Sequence, residues 1–413
     1  MNAKKESEDI VSGRRDFSER TERITESPIR RIVRLLEEAG EKESIISFGG
    51  GAPSLAPPKD SMEHVAKKIK EESQKSVSYC STPGSLKTRK AITKVIEKEE
   101  DVQVDPEKEI TLTHGGTQGL YATLQTLLNP GQEVIVQDPE YVGYPETIKL
   151  AGGKLNRVKT TWEEDFQITP EKVNEEITKD TEVVMIISPD NPTGRMLTDE
   201  NLKGIVEIVE DEDLWLITDD IYKSIIYEDK EFTNSRHFGA RENTVTCSSF
   251  SKTASIPGMR LGYTYGPKEF IKNMTRLLQY EALCIANPPQ LFAQHFLREK
   301  GKYKRKYINE TVVPTYKHRK DIMKEELEDK LPKAGFSEPS GAFYFFVDMN
   351  PYMEGFEDEE DLSTTLYEEE EVVVIPGGYF GNEGKNHVRF TFVSEPEERI
   401  REGITRISEF LKS

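Results

Sequence analysis

The residues best equipped for covalent chemistry lie in Ser248-Ser249-Phe250-Ser251-Lys252 and in the segment after it, Pro257-Gly258-Met259-Arg260-Leu261-Gly262-Tyr263. Lys252 stands just beyond a β-branched run, with Ser249 three residues before it and Arg260 eight after it. An amine so placed can attach to an aldehyde while the flanking hydroxyl and guanidinium hold a phosphate dianion. A second phosphate-binding element is Thr113-His114-Gly115-Gly116-Thr117-Gln118, which joins a predicted strand to a helix carrying Leu120, Leu124 and Leu127. The N–H groups of Gly115, Gly116 and Thr117 fall in the first helical turn, where they lack intrahelical partners and can receive the anion. His114 reads as a loop residue serving packing.

Such residues need a sheet to position them. From about residue 109, short β-branched runs alternate with amphipathic stretches, the pattern of a sheet with covering helices. The candidate strands are Ile110-Thr113, Val134-Gln137, Leu155-Lys159, Val183-Ser188, Leu214-Thr218, Thr244-Ser248 and Leu261-Tyr265. Between two of them, Leu202, Ile205, Val206 and Val209 follow Thr198 at the spacing of a helix laid on a sheet. Beyond about residue 300 the character changes: a charged helical stretch, Lys302 to Leu331, leads to strands at Phe343-Val347, Val372-Ile375 and Val388-Phe392. At the other end, residues 1–26 are charged without a sustained period and are expected to form a mobile arm. A helix is expected to follow, capped by Ser27, with Pro28 at its first position, Ile29, Ile32, Val33 and Leu36 on one face and Gly40 as its stop.

Composition narrows the function classes. The 413 residues carry 56 Lys and Arg against 75 Asp and Glu, a net charge of −19 that repels phosphate backbones and anionic lipid. Nucleic acid and membrane are therefore not expected partners. No apolar run approaches the ~20 residues a membrane span requires, and Met1 to Thr25 is too polar for a signal peptide, so a cytoplasmic address is expected. Cys80, Cys247 and Cys284 are too widely spaced for a disulfide framework or a Cys-x-x-Cys metal site and read as packing thiols.

Taken in chain order, Asn191 in Ser188-Pro189-Asp190-Asn191-Pro192-Thr193-Gly194, Asp219 and Tyr222 in Thr218-Asp219-Asp220-Ile221-Tyr222, then Ser249, Lys252, Arg260, and Arg389 in His387-Val388-Arg389-Phe390-Thr391-Phe392, form a specific set. The set resembles the pyridoxal 5'-phosphate-dependent class I/II aminotransferases of the fold-type I superfamily, over roughly residues 23 to 410. The resemblance implies an α/β fold: a large domain with a seven-stranded, mostly parallel sheet covered by helices, plus a smaller α+β domain formed by the C-terminal part and the N-terminal segment. The boundaries expected are 1–26 for the arm, 27–57 for the N-terminal segment packing with the small domain, 58–300 for the large cofactor-binding domain and 301–413 for the small domain.

The resemblance also implies roles. Lys252 is the Schiff-base residue and proton shuttle, and Asp219 pairs with the pyridinium nitrogen so that the ring can accept electrons. Tyr222 and Asn191 donate to the ring's phenolic oxygen. Tyr141, in Asp138-Pro139-Glu140-Tyr141-Val142-Gly143-Tyr144, lies over the cofactor face where many aspartate-specific members carry Trp. Arg389 binds the substrate α-carboxylate bidentately. Gly51, in Phe48-Gly49-Gly50-Gly51-Ala52-Pro53, brings its backbone to that carboxylate, and Tyr79 reaches the phosphate of the neighbouring subunit, which implies a homodimer. Arg23, in a segment similar to that before the first helix of aminoadipate-type transaminases, is a candidate contact for a distal carboxylate. The expected activity moves an amino group from an L-amino acid of aspartate, aromatic or 2-aminoadipate type to a 2-oxo acid, 2-oxoglutarate foremost. A carbon-sulfur β-lyase on the same fold would use the same residues and release ammonia and pyruvate. A non-enzymatic ligand-binding regulator is a third class, against which the retained Lys252 weighs.

Overall fold

The computed structural model describes residues 17–27, 34, 44–227 and 230–412. The β-branched runs form β2 (Ile110–Thr113), β3 (Glu133–Asp138), β4 (Lys154–Lys159), β5 (Thr181–Ile187), β6 (Trp215–Asp219), β7 (Thr244–Ser249) and β8 (Gly262–Tyr265), after a short β1 (Ile46–Ser47). Strands β2 to β8 make one sheet in the order β2-β8-β7-β6-β5-β3-β4, parallel throughout except for β8, which runs antiparallel to β2 and β7. Helices cover both faces, so the central strands are buried on each side and read as continuous apolar runs such as Val183 to Ile187. All seven expected strands of this sheet are present, Ile110–Thr113 with the expected bounds and the others with edges within two residues of their expected places.

The smaller domain contains β9 (Gly335–Phe336), β10 (Tyr344–Asp348), β11 (Val372–Val373), β12 (Ile375–Pro376) and β13 (His387–Thr391). Four of these form an antiparallel sheet in the order β12-β13-β10-β9, while β11 pairs in parallel with β1. The N-terminal segment thus completes the C-terminal domain, and the Thr391 N–H donates to the Phe48 carbonyl at 2.8 Å. The single strand expected at Val372-Ile375 is corrected to two, serving two sheets on either side of Val374. Every residue from Val372 to Ile375 is buried, so no alternation marks the break. The charged helical stretch runs from Lys302 to Lys330 through a π-helical turn at Ile308–Val312. Pro314 has no N–H to return to the Glu310 carbonyl, and the wider turn just before it accommodates that loss.

The described arm residues, 17–26, include a helical turn, Glu19–Glu22, and a docking point at Thr25, whose N–H and Oγ1 donate to the Glu146 carboxylate at 3.1 and 3.3 Å. The helix expected between Ser27 and Gly40 lies outside the described residues, apart from Ser27 and Arg34. Among the described residues, no helix is long and apolar enough to cross a membrane.

The two domains meet where β3 ends. The Asp138 carboxylate accepts the N–H groups of Asn382 and Glu383, both at 3.1 Å, and the Glu140 N–H donates to the Phe380 carbonyl at 2.6 Å. Gly381, at φ +130°, leaves room for this approach, since a side chain there would collide with the Asp138 carboxylate. Arg157 on β4 closes the joint, donating from Nη2 to Glu140 at 2.6 Å. Burial pushes the Glu140 carboxyl up to about 7 despite the hydrogen bond from Arg157. The folded-state pKa lies above the unfolded value, so ionising Glu140 costs stability as pH rises through that interval, and loss of Arg157 enlarges the cost. Arg157→Ala should therefore destabilise by about 3 kcal/mol at pH 8, measured by urea unfolding. The deficit should shrink at pH 5, where Glu140 is protonated; a deficit independent of pH would show that Arg157 acts only by packing.

Candidate active site

Three adjacent parallel strands end at one edge of the large sheet and deliver the site. Ligands of open α/β sheets bind outside the carboxyl ends of the strands, and β6 ends there in Asp219, β7 in Ser249, while the chain after β5 turns through Asp190 to Gly194. Lys252 sits in the short helix Phe250–Thr253, whose N-cap Ser249 accepts the Ser251 N–H at 3.1 Å. Its Nζ donates to the Gly51 carbonyl and lies 5.8 Å from the ring centroids of both Tyr222 and Phe343. Burial, then the cations Arg389 and Arg260, push the Lys252 pKa down to about 8, with Asp219 opposing. A neutral amine is thereby accessible near neutral pH.

Asp219 is 4% exposed and accepts from Tyr144 Oη at 3.0 Å and from the Ile221 N–H at 3.3 Å. Burial pushes its pKa up to about 6 while the Tyr144 hydrogen bond and Lys252 pull the other way, so it is a carboxylate at neutral pH. Asp220 follows directly but turns to a different neighbourhood, 3.9 Å from Lys223 Nζ, which pairs with Glu100 at 2.7 Å. Lys252 favours the charged form of Asp219, whereas burial governs Asp220 first and Lys223 is the cation that opposes it.

From the small domain, β13 places Arg389 between Phe346 of β10 and Ile375 of β12. The side chain is 1% exposed; Nη1 donates to Asn191 Oδ1 at 3.0 Å and Nη2 to the Gly49 carbonyl at 2.8 Å. Its Nε, though buried, has no hydrogen-bond partner, and the guanidinium lies 4.3 Å from the Tyr344 ring centroid and 4.9 Å from that of Phe380. A buried guanidinium with an unsatisfied donor is suited to an incoming anion. The hydroxyls of Tyr222 and Tyr344 share a hydrogen bond of 2.8 Å, and Gly51 passes so close that a side chain there would collide with the Tyr344 hydroxyl. Tyr141 is half-buried and edge-on to Tyr144 at 5.3 Å; burial and then Asp219 raise its hydroxyl pKa.

A second anion cradle lies beside Lys252. Gly115, at φ +77°, opens the helix Gly115–Leu127, and a Cβ on it would come within 2.5 Å of the Arg260 guanidinium; one on Gly116 would lie 3.8 Å from Ser249 Cβ. The bare helix N-terminus, the Ser249 hydroxyl and Arg260 thus bound one small space, and this donor set suits a phosphate dianion. Arg260 is anchored through Nη1 to the Pro257 carbonyl at 3.0 Å and through Nη2 to that of His114 at 3.4 Å. Thr117 is exposed in the first turn of the helix.

The residues expected at the site therefore converge, with two exceptions. Tyr79 is 84% exposed on the loop after the helix Ser73–Val77, and Arg23 is exposed beside the Glu19–Glu22 turn. Sequence reasoning overlooked Tyr144 and Tyr344. Tyr144 stands three residues after Tyr141, and Tyr344 is the one residue of the aromatic run Phe343-Tyr344-Phe345-Phe346 whose phenol, once buried, requires a polar partner, so a weak signal existed for both.

Residues 43–407 match the family described as aminotransferase class I and II. An aspartate aminotransferase of Pyrococcus horikoshii is 34% identical over 92% of this chain and 94% of its own. Aromatic-amino-acid aminotransferase 2 of Thermococcus litoralis is 30% identical over 96% of this chain and 98% of its own. The structure of an aspartate aminotransferase from Thermus thermophilus with maleate superposes at a TM-score of 0.88, with 30% identity over 96% of this chain and all of that one.

Tyr144→Phe removes a hydrogen bond that favours the ionised form of Asp219. The acidic limb of the pH–rate profile should move up by about one pH unit. A steady-state profile checks this, and an unmoved limb would detach Tyr144 from the titration of Asp219.

Proposed function

The chain belongs to the class I and II aminotransferases, pyridoxal-phosphate-dependent enzymes acting on amino acids, and on that premise we propose that it moves the amino group of an L-amino acid of aspartate, aromatic or 2-aminoadipate type to 2-oxoglutarate. The observation that carries this reading is the convergence of Lys252, Asp219 and Arg389 on one space beside the phosphate-suited cradle. When bound, pyridoxal phosphate supplies an electrophilic aldehyde and an electron-withdrawing ring.

The chain's own groups do the rest. The N–H groups of Gly116 and Thr117, with Ser249 and Arg260, would hold the phosphate. Asp219, ionised at neutral pH, would hold a protonated ring nitrogen, and Tyr144 keeps that carboxylate charged. Tyr222 and Asn191 would bond the ring's phenolic oxygen, and Tyr141 would cover one ring face. Arg389, held by Asn191 and Gly49, receives the substrate α-carboxylate, and the Gly51 backbone borders the same position. Lys252, its pKa lowered to about 8, would take the proton from the substrate Cα as a free amine and deliver it, as an ammonium, to the cofactor's C4′ carbon.

A panel of amino donors assayed against 2-oxoglutarate tests this directly. Glutamate should form from at least one acidic or aromatic donor and vanish in Lys252→Ala, whereas release of ammonia and pyruvate would assign a β-lyase. For the distal carboxylate we propose Arg23, two residues before Thr25, where the arm docks on the helix Tyr144–Leu150. Arg23→Ala should raise KM for 2-oxoglutarate and glutamate about tenfold and leave an aromatic donor's half-reaction unchanged; equal effects on both donor classes would remove the role.

The partner we propose is a second copy of the chain. Tyr79, Val77, Tyr280 and Leu283 are large, exposed and partly apolar, at 84%, 77%, 90% and 49% exposure, which suits a covered surface. Exchange of subunits between Tyr79→Phe and Lys252→Ala dimers should restore part of the lost activity through hybrids with one intact site. A monomer at micromolar concentration, by sedimentation, would sink the proposal.

A further inference from the structure

On the far side of the helix Leu86–Glu100 from the sheet core, Leu86, Lys87, Lys90, Ala91 and Lys94 face Gln294, Leu297, Arg298, Glu299 and Lys300 across a cleft of about 630 Å³. Five cations and one carboxylate line it, in a chain of net charge −19. The carboxylate is already engaged, Glu299 lying 3.8 Å from Lys302 Nζ. Elsewhere this surface pairs its lysines with acids one helical turn away, as in Lys59–Glu63, Lys67–Glu71, Lys68–Glu72 and Lys203–Glu207. Among the described residues, Lys87, Lys90, Lys94 and Lys300 have no such ion pair.

Their placement also runs against the helix. Lys87 and Lys90 occupy the N-terminal part, which carries no acid in its first turn, whereas Glu97, Glu99 and Glu100 outnumber the one base, Lys98, at the C-terminal end. Both arrangements oppose the helix dipole. Two of these acids are compensated, Glu99 by Lys304 at 2.5 Å and Glu100 by Lys223 at 2.7 Å, but the lysines at the other end are not. The neighbouring imidazoles report the same field. His64 and His295 stack at 4.5 Å beside the cleft, and both are held below the usual histidine pKa, first by burial and then by cations that include Lys87 and Arg298 for His64 and Arg298 for His295.

We propose that this cleft binds a small polyphosphate anion, separate from the catalytic site. Lys87, Lys90, Lys94 and Lys300 supply point charges, and Arg298, stacked 3.5 Å from the Tyr303 ring centroid and held through Nη1 by the His295 carbonyl at 2.9 Å, supplies a fixed planar cation. The apolar floor of Leu86, Ala91 and Leu297 leaves space for a nucleoside beside the phosphates.

The test is calorimetric titration of the holoenzyme, its catalytic phosphate position saturated with cofactor, with tripolyphosphate, ATP and citrate at 50 mM salt. Tripolyphosphate should bind at one site per chain, and Lys90→Gln/Lys94→Gln should weaken it at least tenfold, while Lys59→Gln/Lys67→Gln on a neighbouring helix should not. Tighter binding of ATP than of tripolyphosphate would name a nucleotide as the ligand, and equal binding a condensed phosphate. No binding by the parent protein, binding unchanged in the Lys90/Lys94 variant with its melting temperature intact, or citrate binding as tightly as tripolyphosphate would overturn the proposal.

Discussion

The structure depends on keeping three ionised side chains apart from water in one small space. Asp219, Lys252 and Arg389 come from a sheet strand, a short helix and the other domain, and burial opposes the charge on each of them. No two of them form a direct ion pair. Asp219 is instead steadied by a phenol and a backbone N–H, Lys252 by the Gly51 carbonyl, and Arg389 by Asn191 and the Gly49 carbonyl. Neutral dipoles hold the charges in place without cancelling them, so each remains able to engage a charged ligand. The shift of Lys252 to about 8 follows from this arrangement, first because the amine is buried and then because two nearby cations, Arg389 and Arg260, act against the single carboxylate of Asp219.

The same constraint explains why the two domains are built from interleaved chain. Gly49 and Gly51 touch Arg389 and Lys252, yet they follow β1, which pairs with β11 near the opposite end of the sequence. The N-terminal segment therefore bridges the substrate arginine and the reactive lysine. On the opposite flank, Phe380 packs on Arg389 while its carbonyl accepts from Glu140 at the end of β3. Arg389 is thus referenced to the large sheet from both sides, and its position relative to Lys252 depends on the joint formed by Asp138, Glu140 and Arg157.

The large sheet was legible in sequence because each of its strands is a compact β-branched run bounded by breakers, and because the site residues stand at strand ends. What escaped detection was either too short to have a period, as with the two-residue β1 and β9, or buried on every side, as with the break at Val374. Arg389 was placed by its match to the family's carboxylate-binding arginine, since a single charge in Val388-Arg389-Phe390 does not by itself tell a buried guanidinium from one that ends in solvent. Tyr344 lies in a similar run, where its hydroxyl signals that a polar partner is needed but only the fold shows that the partner is Tyr222.

Asp219 and Asp220 show how far local sequence can separate function from support. Both are buried carboxylates raised well above the ordinary aspartate range, to about 6 and about 7. Composition and spacing alone cannot rank them. Their position at the strand end does, because Asp219 is the last residue of β6 and Asp220 the first of the turn beyond it. One carboxylate reaches Tyr144 and the field of Lys252, while the next meets Lys223 and Glu100. Asp220 also anchors the turn, its N–H donating to the Cys247 carbonyl at 2.9 Å and its own carbonyl accepting from Ser248 Oγ at 3.1 Å. The pair thus divides two tasks: Asp220 ties the end of β6 to β7, which carries Ser249 and leads to Lys252, and that tie keeps Asp219 and Lys252 in a common frame.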